Sequence, residues 1–116
     1  MAHRALEVLD DPDRSFASSD LVRLEVLPKA IFHQRLDEIA FYEAFFEEVE
    51  HWIETDSLLT NAALDLAGKH GLSALDALHA TAALRVNASE MITTERPSTP
   101  LHRVTGITIK TIHPGV

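Results

Sequence analysis

Short extended runs set between longer helix-period stretches constrain this chain most. "SFAS", "EMIT" and "ITIKTI" have the β-rich or alternating character of strands. The intervening segments carry apolar residues at three- and four-residue spacing, as helices do. Strands interleaved with helices imply an α/β layer with parallel pairing. A central parallel strand is buried on both faces and should be a continuous apolar run. No such run stands near the N-terminus, so the sheet reads as short of one member. A chain of 116 residues suits a single domain.

The segments between the strands are distinct. "HRALEVLD", residues 3–10, predicts a short helix that "DPDR" breaks, because a proline disfavours the helical state in the residue before it. "SDLVRLEVLPKAI" predicts a second helix with Ser18 or Ser19 as N-cap and a bend at Pro28. Apart from Arg23, Glu25 and Lys29, residues 21–31 are apolar, which predicts a helix buried on most sides. A third helix is expected from Leu36 to Glu54, with Ile39, Tyr42, Phe46, Val49 and Ile53 on one face. "DSLLTNAALDLAGKHG" gives a fourth, with Leu59, Ala62, Ala63 and Leu66 as its stripe and Gly71 as its stop. "LSALDALHATAALR" starts the last helix at Ser73, and "ERPSTPLHRVTG" reads as a loop.

The formal net charge is −8, from 10 basic and 18 acidic residues. That argues against a broad nucleic-acid footprint, which is normally basic. It leaves room for a small nuclease site, in which divalent cations offset clustered carboxylates. With no cysteine, disulfides and thiolate zinc sites are excluded. No apolar run is long enough to span a bilayer, and "MAHRALEVLDDPDR" lacks the regions of a signal peptide. A cytoplasmic protein is the expectation.

Three carboxylates stand out. Glu25 has Leu21, Val22, Pro28 and Lys29 as its helical neighbours; it is either a surface partner of Lys29 or an acid held in apolar surroundings. Asp76 fits a capping box with Ser73 and suits the positive end of the helix dipole; a metal-binding role is compatible with that. Glu95 follows Thr93 and Thr94 just past the "EMIT" strand, where α/β folds place sites, although a solvated loop glutamate looks the same. Converging carboxylates suit Mg²⁺ or Mn²⁺, which prefer oxygen ligands. A rival His/Asp site would use Asp76 with His79 and His70, but no H-x-x-x-H or H-E-x-x-H motif supports it.

At these residues the sequence resembles the PIN domain family, specifically the VapC-like ribonuclease toxins of VapBC toxin–antitoxin pairs. "SSDLVRLEVLPKA" resembles the segment holding that family's second acid, at Glu25. "HGLSALDALHATAALRVNASEMITTE" resembles its helix and strand, with Asp76 as third acid and Glu95 at the variable fourth position. "HRVTGITIKTI" resembles the closing strand.

The resemblance implies a PIN-like three-layer α/β/α fold and metal-dependent RNA cleavage. Glu25, Asp76 and Glu95 would hold Mg²⁺ or Mn²⁺, Thr93 or Thr94 would orient water or phosphate, and Lys29 and Arg85 would lie near RNA phosphates. It also implies a cognate antitoxin and a homodimer. The family's first strand and its acid have no counterpart here, and Asp10 and Asp11 do not match it. The chain is therefore expected either to start upstream or to be a truncated descendant. The second case predicts a weakened metal site and an exposed sheet edge that invites self-association. The competing function is a catalytically impaired module that binds an antitoxin or itself.

Overall fold

The computed structural model describes residues 10, 11, 13–93 and 98–111. The helix expected over residues 3–10 lies outside these except for Asp10, which stands in a turn. The chain divides into two compact units, one running Asp13–Thr55 and the other containing the described residues from Asp56 onward. Each is mixed α/β, and each contains a two-stranded parallel ladder.

The first unit runs β1 (Phe16–Ser19), α1 (Asp20–Phe32), α2 (Leu36–Glu47) and β2 (Val49–Ile53). β1 and β2 pair in parallel, with Ala17 opposite His51 and Ser19 opposite Ile53. Ser19 occupies the N-cap of α1 without a side-chain capping bond, while Asp20 places a carboxylate in the first turn, where the helix dipole favours it. The helix continues past Pro28 to Phe32. It then ends in a Schellman turn: the Gln34 N–H donates to the Ile31 carbonyl at 3.1 Å and the Arg35 N–H to the Ala30 carbonyl at 2.9 Å. Gln34 takes the left-handed φ of 54° that this turn requires, a position where glycine is usual.

Two expectations fail in this unit. The helix predicted from Leu36 to Glu54 ends at Glu47, and Val49–Ile53 is a strand. Its β-branched and aromatic residues suit an extended chain, and β1 supplies the partner that local periodicity does not reveal. Val49 and Ile53 therefore do not prolong the face of Ile39, Tyr42 and Phe46. Nor is α1 buried on most sides: only Leu27 and Ala30 are buried, while Leu24, Ile31 and Phe32 are exposed. Much of the aromatic content packs edge to face instead. The Phe16–Phe45, Phe45–Phe46 and Phe46–Trp52 ring centroids lie 5.8, 5.4 and 5.9 Å apart, and the Arg23 guanidinium lies 5.8 Å from the Phe46 centroid.

The second unit runs α3 (Ser57–His70), α4 (Ala74–Arg85), β3 (Glu90–Thr93), a 3₁₀ helix (Pro100–Arg103) and β4 (Thr108–Thr111). β3 and β4 pair in parallel, with Met91 opposite Ile109. The stretch expected to be a loop thus contains a 3₁₀ turn, with Pro100 at its start where a missing N–H costs nothing. Gly71 stops α3 as expected, with φ 69° and its N–H donating to the Ala67 carbonyl at 2.8 Å. Of the α3 stripe, Leu59 and Ala63 are buried and Leu66 is half-buried, but Ala62 faces outward. Ala80, Leu101 and Val104 form the core cluster, with Leu66, Leu72, Leu84, Met91, Ile107 and Ile109 packed on it.

Two substitutions test these assignments by thermal unfolding followed by circular dichroism. Gln34→Gly relieves a left-handed side chain and should stabilise the fold by about 1 kcal/mol. Leu101→Ala removes a side chain that is 1% exposed and should cost about 2–5 kcal/mol.

Candidate functional site

Asp76 owes its position to the start of α4. The Ser73 hydroxyl accepts the Asp76 backbone N–H at 3.3 Å, and the Ser73 carbonyl accepts the Ala77 N–H at 3.0 Å. The first bond satisfies an amide that a helix start leaves without an intrahelical partner, and the second is the first bond of the helix itself. Asp76 is half-buried in the first turn, next to the buried Ala77. At the other end α4 closes on Asn87, which takes a left-handed φ of 54° and donates its N–H to the Leu84 carbonyl at 3.1 Å. The chain then enters β3, which ends at Thr93, half-buried and in register with Thr111.

A second carboxylate ties α4 to α3. Asp56 is the N-cap of α3, and its Oδ1 accepts the Leu59 N–H at 2.8 Å. The Arg85 guanidinium at the end of α4 grips the same carboxylate through both oxygens: Nη2 donates to Oδ1 at 3.1 Å and Nη1 to Oδ2 at 3.3 Å. Planar guanidinium and carboxylate groups match in this forked geometry. Arg85, a candidate for contacting RNA phosphates, is therefore engaged within its own unit. Sequence reasoning did not single out Asp56, although an aspartate directly before an apolar helical stripe is an N-cap signal.

Of the three predicted ligands, Glu25 and Asp76 are among the described residues. Glu25 lies on α1 in the first unit and is exposed, the surface setting that was one of its two readings. Asp76 belongs to the second unit. Glu95 and Thr94 lie outside the described residues. Among the described residues no group of three or more His, Cys, Asp or Glu is arranged to hold a metal ion. Glu25 and Asp76 alone are thus short of such a group. Carboxylate donors nevertheless have the right chemistry for Mg²⁺ or Mn²⁺. No helix of the described residues is long and apolar enough to cross a membrane.

No family model, curated protein or solved structure matches this chain.

The Asp56–Arg85 pair gives the second unit a defined pH response. The Arg85 hydrogen bonds, and then the Leu59 N–H, hold the Asp56 carboxyl below its ordinary value of 3.8. As pH falls, the unfolded chain takes up this proton first. The contribution of the pair is therefore complete well above pH 3.8 and drains away as pH drops below it toward the lowered folded value. Asp56→Asn keeps an oxygen for the Leu59 N–H and removes the charge. Its melting midpoint should lie below that of the parent at neutral pH, and the gap should close on acidification below 3.8.

Proposed function

We propose that this chain is a PIN-like, VapC-like ribonuclease module acting on RNA phosphodiesters in the cytoplasm, with Glu25, Asp76 and Glu95 as carboxylates for Mg²⁺ or Mn²⁺. One observation carries this reading. Asp76 sits in the capped first turn of an alanine-rich helix that leads directly into a parallel strand, β3, with Thr93 at the strand's end. That is the order of acid, helix and strand on which the family resemblance rests.

The ion, when bound, would supply a water of lowered pKa and positive charge against the phosphate. The chain's own residues have distinct tasks. The Ser73 cap fixes the backbone from which the Asp76 carboxylate projects. Thr93 and Thr94 bring hydroxyls next to Glu95 in sequence, able to orient water or a phosphate oxygen. A cognate antitoxin and a homodimer are the proposed partners.

A second reading is a non-catalytic module that docks a partner. The exposed Leu24, Ile31, Phe32 and Leu36 favour it, because solvated apolar side chains grouped on one unit mark interaction surfaces.

A single substitution separates the two. Asp76→Asn leaves the Ser73–Asp76 backbone bond in place. Manganese-dependent cleavage of a structured RNA by the purified chain should disappear in Asp76→Asn and in Glu25→Gln. Undiminished cleavage in Asp76→Asn would refute the ligand assignment; a parent chain that cleaves no RNA with either ion would leave the docking reading.

A further inference from the structure

We draw no further inference here: the strongest candidate, the exposed surface patch of Trp52 with Glu47, Glu48 and Glu50 around the α2–β2 turn of the first unit, is an acidic cluster beside an aromatic side chain, and nothing in the structure shows what covers it.

Discussion

Ala80 has no solvent exposure, and the second unit is built around it. With Leu101 and Val104 it forms a cluster on which side chains from α3, α4, β3 and β4 converge, among them Leu66, Leu84, Met91 and Ile109. A methyl group at this point lets the surrounding elements come together; a larger side chain would force them apart, because protein interiors tolerate extra volume poorly. The turns around the cluster then have little freedom. Gly71 reverses the chain in a left-handed conformation, and Arg103 donates to the His70 carbonyl at 3.1 Å, satisfying a group that the end of α3 leaves open. The position of Asp76 follows from this arrangement, since α4 is fixed by the core along its length and by Ser73 and Arg85 at its ends.

The first unit has a different balance. Its buried apolar side chains are Leu27, Ala30 and Ile53, and α2 buries none of its residues. Edge-to-face aromatic contacts and the β1–β2 ladder supply its cohesion, while several large apolar side chains stay in water. Leaving apolar surface exposed forgoes about 25 cal/mol for every Å² that could have been buried. Such surface is typical of binding faces. The exposed apolar side chains and the proposed carboxylates are therefore different residues.

The legible part of the sequence was local. Ser73 three residues ahead of Asp76 marked the start of α4, and Gly71 marked the end of α3, because caps and left-handed turns are decided by neighbouring residues. "EMIT" and the middle of "ITIKTI" were recognisable as strands from β-rich composition. β2 was not, because Val49 and Ile53 also satisfy a helical repeat and Glu50 between them suits a helix. Pairing with β1, a partner far along the chain, decides the outcome. The apolar character of α1 was visible, but which of its faces would be covered was not. Burial depends on what packs against a helix as well as on its composition.

The alternation of strands and helices, the capped start that positions Asp76, the lack of cysteine chemistry and the acidic net charge are written into the chain. Those follow from residue identity and from interactions spanning a few positions. Long-range packing sets the pairing of the strands as β1–β2 and β3–β4, the placement of Glu25 and Asp76 in different units, the grip of Arg85 on Asp56 and the exposure of Phe32 to solvent. Each of these is a relation between residues distant in the chain, or between a side chain and solvent. Local periodicity carries no information about either.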